Sequence, residues 1–334
     1  MSVRFCPLLF GILVIGFTLP VVPAVKEPGI GESPDRGPAV LWRDPVDITS
    51  RDLFFGPGGR QHQPHGPYTF VKEDLDGTNP KFVLRDRDGV KWKVKMGVEA
   101  RPETVATRLV WAIGYCANED YFLSSVRAEG MPDHLQRGQK LVAPDGSVHN
   151  VRLKREDEKK LGDWQWRSDP FAGTREWNGL RVMMAVLNNW DLKDDNNAIY
   201  QAGDSERIYM VSDLGASLGT PAAAWPLIRA KGNLDSYRHS SFIRHTTATT
   251  VDFSTPGRPE FVWLVHPHDY ATHLQMRWIG KNIPRADARW IGQLLARLSH
   301  RQIEDAFRAA GYSPADVQAF SAVVERRIAL LADL

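Results

Sequence analysis

One acidic run carries the most structural information in this 334-residue chain: Trp190-Asp191-Leu192-Lys193-Asp194-Asp195-Asn196. A short strand pattern follows at Ala198-Ile199-Tyr200, and after a polar turn a second one ends in Ser212-Asp213-Leu214-Gly215. A loop–strand–turn–strand unit brings the chain back to its starting end, so Asn196 and Asp213 are expected side by side, next to Asp191. Hard oxygen ligands of this kind suit Mg²⁺ or Mn²⁺ rather than zinc.

This order and spacing match the motif H-R-D-L-x-x-x-N followed by D-F-G. At these residues the chain resembles the protein-kinase-like superfamily. The resemblance implies that Asp191 orients or deprotonates the acceptor, and that Asn196 and Asp213 are metal ligands. It also implies ATP and Mg²⁺ or Mn²⁺ as cofactors, because phosphoryl transfer needs a carboxylate near the attacking hydroxyl and cations that neutralise the phosphate charge.

Two departures from the conventional kinase pattern accompany the match. Trp190 stands where the Arg of H-R-D would be, and no A-P-E motif follows Gly215. Both departures favour atypical branches of the superfamily, which include HipA-type, phosphatidylinositol-kinase-like and secretory-pathway kinases.

The front of the chain has the pattern of a small antiparallel sheet followed by a helix. Strands are predicted at Tyr68–Lys72, Phe82–Leu84 and Val90–Met96, where apolar and polar residues alternate between turn sequences. A helix is predicted over Arg101–Cys116 from apolar residues at helical spacing.

The resemblance places a nucleotide site on this sheet. The turn Gly77-Thr78-Asn79-Pro80-Lys81 resembles the short glycine loop of HipA-type members, so Gly77, Thr78 and Lys81 are expected to bind the cofactor. It also implies a lysine on the third strand that grips phosphate, and a glutamate on the helix that positions this lysine.

The lysine and the glutamate each have an alternative. Lys95 is preferred over Lys93 because it is nearer to the helix, although strand alternation puts both on one face. Glu103 is preferred over Glu99 because it falls inside the helical register.

The predicted fold class is α+β, a two-lobed protein-kinase-like fold with a small antiparallel-sheet N-lobe plus one helix and a mainly helical C-lobe. Residues 67–155 are assigned to the N-lobe and residues 156–334 to the C-lobe with the catalytic and metal loops. Residues 1–24 read as a signal peptide or anchor, and residues 25–66 as a Pro/Gly-rich linker.

The N-terminus predicts export. Arg4 precedes the uncharged, mainly apolar run Phe5–Val22, and Val22-Pro23-Ala24 offers a cleavage point. A cleaved signal peptide and an uncleaved membrane anchor both place the rest of the chain in the periplasm, the extracellular space or a secretory lumen.

Other chemistries receive little support. Basic residues number 42 against 40 acidic ones, a balance that argues against nucleic-acid binding. A zinc site is not predicted, because the histidines lack a cysteine or H-E-x-x-H context. They are His62, His65, His266, His268 and His273.

The sequence therefore predicts a monomeric, exported, atypical kinase-like phosphotransferase acting on a hydroxyl of a protein, a sugar or a lipid head group. The alternative is a catalytically silent pseudokinase that binds a nucleotide or a protein.

Overall fold

The computed structural model describes residues 37–77, 79–156, 159–203, 206–221, 230–255, 257 and 259–334. The predicted signal or anchor and the site residue Thr78 lie outside the described residues. Residues 37–334, where described, belong to one compact unit. Among them no helix combines the length and the apolar character needed to cross a bilayer.

Strands dominate the first half of this unit and helices the second. In chain order the strands are β1 Ala39–Val40, β2 Tyr68–Asp74, β3 Lys81–Arg85, β4 Lys91–Lys95, β5 Asp120–Val126, β6 Ala128–Glu129, β7 Val148–Arg155, β8 Lys159–Gly162, β9 Asn197–Ala202, β10 Glu206–Val211, β11 Ile243–Thr246, β12 Thr250–Phe253 and β13 Ile283–Pro284. The α-helices are α1 Ala100–Ala112, α2 Arg175–Val186, α3 Leu234–His239, α4 Val262–Val265, α5 Pro267–Gln275, α6 Arg285–Leu295, α7 His300–Ala309 and α8 Pro314–Ala332.

A six-stranded sheet of order β5-β7-β4-β3-β2-β6 forms the front lobe, which corresponds to the predicted N-lobe. Strands β2, β3 and β4 pair antiparallel as consecutive neighbours, which confirms the three predicted strands. Phe82, Leu84, Trp92 and Val94 alternate along β3 and β4 and are buried in one apolar cluster.

Helix α1 follows β4 directly, as predicted, but it ends at Ala112 rather than at Cys116. Trp42 crosses its end and donates a hydrogen bond from Nε1 to the Ile113 carbonyl. Gly114 has a φ of 100°, and a Cβ there would lie 2.2 Å from the carbonyl oxygen of Arg43. The predicted end was wrong because it extended the helix through Gly114, whose positive-φ backbone stops a helix.

A second sheet, of order β1-β10-β9-β8, begins the back lobe. The predicted hairpin is present as β9 and β10, with Asn197 opposite Val211 at the end that leads into the two motifs. Strand β1 runs parallel to β10, so the described part of the segment predicted as a linker lies against the domain. Leu41, Ile48 and Leu53 from this segment are buried in the main core.

The rest of the back lobe is mainly helical. Helix α2 begins after Thr174, whose hydroxyl accepts a hydrogen bond from the Trp177 N–H. A capping box of Ser299 and Gln302 opens α7, and Ser313 caps α8. Helices α2, α6, α7 and α8 share the largest apolar cluster, and the predicted α+β, two-lobed fold class is confirmed.

A buried ion pair joins α1 to β5 and supports a stability prediction. Arg108 Nη1 lies 2.5 Å from Asp120 Oδ1, and both side chains are almost completely buried. Arg108→Ala is expected to lower the free energy of unfolding by about 3–5 kcal/mol, because it leaves a buried carboxylate unpaired. Urea denaturation measures this change.

The matched control is the double variant Arg108→Met/Asp120→Leu, which removes both charges. It is expected to lose less stability than the single variant. A single variant as stable as the wild type would contradict the role of this pair.

Candidate functional site

A cavity of about 750 Å³ opens where the front sheet meets the loops at the end of the β9–β10 hairpin. Its front wall includes Gly77, Lys81, Lys93 and Lys95, and its back wall includes residues of the two motifs. The back-wall motif residues are Asp191, Asn196 and Asp213. The structure thus brings all the described site residues predicted from the sequence to one cavity, apart from Glu103, which lies directly behind it.

Lys95 is at the centre of this arrangement. Its Nζ lies 2.8 Å from Glu103 Oε2, 3.1 Å from Glu99 Oε2 and 2.9 Å from Asp213 Oδ2. It is the last residue of β4, so its side chain reaches α1 on one side and the Asp213 loop after β10 on the other. The side chain is only 5% exposed, which makes these contacts a buried ion cluster.

The tertiary structure separates the two candidate lysines, although both lie on one strand. Lys93 Nζ lies 3.0 Å from Asp74 Oδ2 and 3.1 Å from Glu156 Oε1, away from the α1 carboxylates. Lys95, one pleat further on, is the residue that contacts both α1 and Asp213.

Both candidate glutamates contact the lysine. Glu103 is buried and also accepts from Arg152 Nη2 at 2.5 Å, so it lies between two cations. Glu99, at the start of α1, accepts from the Asn79 amide at 2.6 Å and forms an ion pair with Lys231. The sequence treated the two as alternatives, whereas the fold uses both.

Electrostatics favour the ionised forms of Lys95 and Asp213. Burial lowers the pKa of the Lys95 amine, but the carboxylates of Asp213, Glu103 and Glu99 outweigh this effect and raise that pKa above its usual value. Burial likewise raises the pKa of the Asp213 carboxyl. The Lys95 ammonium and the Gly215 N–H more than offset it and hold this pKa well below its ordinary range.

The predicted glycine loop lies over the cavity. Gly77 has a φ of 64°, a left-handed conformation that glycine adopts without strain. A Cβ at Gly77 would come within 3.7 Å of Lys81 Nζ, so the bare backbone leaves room beside this ammonium group. Lys81 lies 3.9 Å from Asp74 Oδ2, and burial lowers the pKa of its amine.

Hydrogen bonds of the Asn196 backbone and side chain connect the loop of Asp191 and Asn196 to the loop of Asp213. The backbone N–H groups of Ser212 and Asp213 donate to the backbone carbonyl of Asn196 at 2.8 and 3.1 Å. The Asn196 side-chain nitrogen donates to the Asp191 carbonyl at 2.5 Å. Asp191, Asn196 and Asp213 therefore start from adjacent backbone, as the loop–strand–turn–strand interpretation predicted.

The donors at this point fit a divalent cation. The bond from Asn196 Nδ2 to the Asp191 backbone carbonyl uses the amide nitrogen and not the amide oxygen. An amide oxygen with a carboxylate is a typical partial ligand set for Mg²⁺. The carboxylates of Glu99, Glu103 and Asp213 also cluster within 4.8 Å, but the Lys95 ammonium already lies among them.

Several cavity residues were not identified from the sequence. Lys231 and Arg152 belong to no motif, and only the fold brings them to Glu99 and Glu103. His273 reaches the site from α5, where its Nε2 lies 3.1 Å from Asp191 Oδ1. From the sequence, this histidine was a candidate only for a zinc site, and nothing in the spacing linked it to Asp191.

Comparisons with known proteins found similarity to solved structures. No protein-family profile matches the chain, and no curated protein does so either. Among solved structures, the proinflammatory kinase CtkA of Helicobacter pylori is similar over 81% of this chain and 98% of its own, with 12% identity and a TM-score of 0.46. The MAP kinase LmaMPK10 of Leishmania major covers 80% of this chain and 94% of its own, with 11% identity and a TM-score of 0.20.

The fold of this chain is the predicted two-lobed α+β arrangement. Its own geometry has the features expected of such a fold: a front sheet with a lysine strand and a glutamate helix, facing a loop–strand–turn–strand unit across a cavity.

The Lys95 cluster supports a prediction about Asp213. Lys95→Met is expected to raise the pKa of the Asp213 carboxyl, because burial then acts without the adjacent ammonium. Carboxyl-carbon NMR titration measures this pKa. The matched control Lys193→Met removes a lysine that contacts Asp191 instead, and it is expected to leave the Asp213 titration near that of the wild type.

The depressed pKa also has a consequence for stability. Asp213 has a lower pKa folded than unfolded, so its ionisation stabilises the fold above the unfolded pKa of about 4. That contribution is lost as the pH falls towards the folded pKa. The stability gap between wild type and Lys95→Met is therefore expected to be widest near neutral pH and to narrow below about pH 4 in urea denaturation series. A gap that is constant with pH would contradict the linkage.

Proposed function

We propose that this chain is an ATP-dependent phosphotransferase that uses Mg²⁺ or Mn²⁺ and transfers phosphate to a hydroxyl acceptor. One observation supports this proposal above the others: Lys95, which lines the cavity, bridges Glu103 of the front helix and Asp213 of the opposite wall. A lysine held by a helix glutamate is the part of kinase-like sites that binds phosphate. The surrounding cavity of about 750 Å³ is within the size range of small-molecule sites.

The front wall supplies the phosphate contacts. Glu103 fixes the Lys95 ammonium at 2.8 Å, so the lysine is ordered before the nucleotide arrives. Lys81 and the backbone at Gly77 face the same cavity from above. In the proposal these groups bind and orient the phosphates, and Glu99 with Lys231 completes the charge balance at the start of α1.

The back wall supplies the metal ligands and the catalytic carboxylate. Asn196 and Asp213 are the proposed ligands of the cation, which when bound neutralises charge on the transferring phosphate. Asp191 is proposed to orient the acceptor hydroxyl and to take its proton. Lys193 Nζ, 3.4 Å from Asp191 Oδ1, favours the ionised carboxylate that this role requires.

Export is a separate part of the proposal and rests on the sequence of residues 1–24. An alkaline-phosphatase fusion joined after residue 36 is expected to be active in a bacterial host, because this enzyme requires an oxidising compartment. A fusion in which the apolar run is interrupted by two arginines is the control and is expected to be inactive. An inactive wild-type fusion would overturn the assignment.

Two carboxylates with different roles should give different variants. Asp213→Asn is expected to weaken Mg²⁺-dependent ATP binding at least tenfold, because it removes a charged ligand of the cation. Asp191→Asn is expected to preserve ATP binding and to lower the transfer rate by about 10²–10⁴-fold, the usual contribution of a general base. Calorimetry measures binding, and release of labelled phosphate to acceptor or water measures turnover.

Asp195→Asn is the matched control, because Asp195 is an exposed carboxylate that lines the same cavity. It is expected to behave like the wild type in both assays. Unchanged ATP affinity in Asp213→Asn would overturn its metal role. ATP binding without any transfer by the wild type would favour the pseudokinase alternative.

A further inference from the structure

Helix α5 places a buried histidine on the proposed catalytic carboxylate. His273 is 4% exposed, and its Nε2 lies 3.1 Å from Asp191 Oδ1. The other ring nitrogen, Nδ1, lies 2.7 Å from the backbone carbonyl of Asp269, one helical turn earlier. Both ring nitrogens are therefore within hydrogen-bond distance of an oxygen, and α5 belongs to neither motif.

The identity of these oxygens determines where the ring carries its protons. A backbone carbonyl oxygen only accepts, so the contact with Asp269 requires a hydrogen on Nδ1. A carboxylate oxygen faces Nε2, so a hydrogen bond there requires a proton between Nε2 and Oδ1. A histidine with hydrogens on both nitrogens is a cation that donates to an ionised Asp191.

Two further charged groups lie close to this contact. Asp269 Oδ1 lies 3.4 Å from His273 Nδ1, so a second carboxylate faces the ring. Lys193 approaches Asp191 Oδ1, at 3.4 Å. Asp191 thus has a histidine from α5 and a lysine from its own loop on one oxygen. Two donors on one oxygen restrict rotation of the carboxylate.

We propose that His273 is a positioning residue for the transfer reaction, and this inference rests on the proposed function. Its Nε2–H donates to Asp191 Oδ1 and holds the carboxylate in one orientation. In the reaction the acceptor oxygen bonds to the γ-phosphorus while the bond from phosphorus to the β–γ bridging oxygen breaks. The bond electrons leave with ADP, and the acceptor proton goes to Asp191. His273 itself does not contact the reacting atoms.

A purely structural role for His273 is the competing explanation, and two substitutions distinguish it. His273→Gln keeps an amide N–H that reaches towards Asp191, whereas His273→Leu fills similar space without any donor. Loss of orientation in a positioned catalytic group costs about a hundredfold in rate. His273→Leu is therefore expected to lower kcat by about that factor with unchanged ATP affinity, and His273→Gln to recover at least tenfold of the loss.

His268→Gln is the matched control, because His268 lies on α5 as well and its side chain is exposed. It is expected to have wild-type kcat. Equal losses in His273→Leu and His273→Gln that follow a lower melting temperature would overturn the proposal in favour of a structural role. Wild-type kcat in His273→Leu would also overturn it.

A measurement without turnover separates this inference from the proposed function. Nitrogen-15 NMR of histidine-labelled protein reports which ring nitrogens carry hydrogen, and His273→Gln assigns the signals. Both nitrogens of His273 are expected to be protonated in the wild type, and Asp191→Asn is expected to shift the Nε2 signal towards that of a neutral ring. An Nε2 without hydrogen in the wild type would overturn the proposed hydrogen bond to Asp191, even if the chain transfers phosphate. An Nε2 signal that does not change in Asp191→Asn would do the same. An absence of transfer would overturn the proposed function instead.

Discussion

The site depends on the burial of one ammonium group, that of Lys95. An ammonium taken out of water costs several kcal/mol unless carboxylates surround it. Three carboxylates do so here: Glu99 and Glu103 from α1, and Asp213 from the loop after β10. Neutralising Lys95 therefore brings α1 and the loop that carries Asp213 into contact with the same ammonium group. The cavity lies beside this contact.

The cluster is balanced by cations from elements that carry no motif. Arg152 on β7 pairs with Glu103, and Lys231 pairs with Glu99. Three carboxylates therefore face three cations within this cluster. Buried ion pairs contribute little net stability. A cluster of this size is better explained by the binding of a charged ligand than by a stabilising role in the fold.

The back of the site is organised by backbone hydrogen bonds rather than by charge. The Asn196 carbonyl accepts from the N–H groups that begin the Asp213 motif, and the Asn196 amide holds the Asp191 carbonyl. Side chains fixed in this way lose little entropy when a substrate binds. His273 on α5 contacts the Asp191 carboxylate and adds a restraint on its orientation. The two walls therefore differ: a charge cluster orders the front, and a hydrogen-bonded turn orders the back.

The sequence alone determined what depends on local spacing. The alternation along β3 and β4, the hairpin of β9 and β10, and the adjacency of Asp191, Asn196 and Asp213 follow from turns and periodicities a few residues long. Strand alternation did not separate Lys93 from Lys95, and helical register did not show that Glu99 and Glu103 both contact the lysine. Residues on one face of a strand or helix differ only in their distant partners. The approach of Lys231 and Arg152 and the position of His273 were decided by tertiary structure. These contacts join residues 49 to 132 positions apart, and no local pattern encodes them.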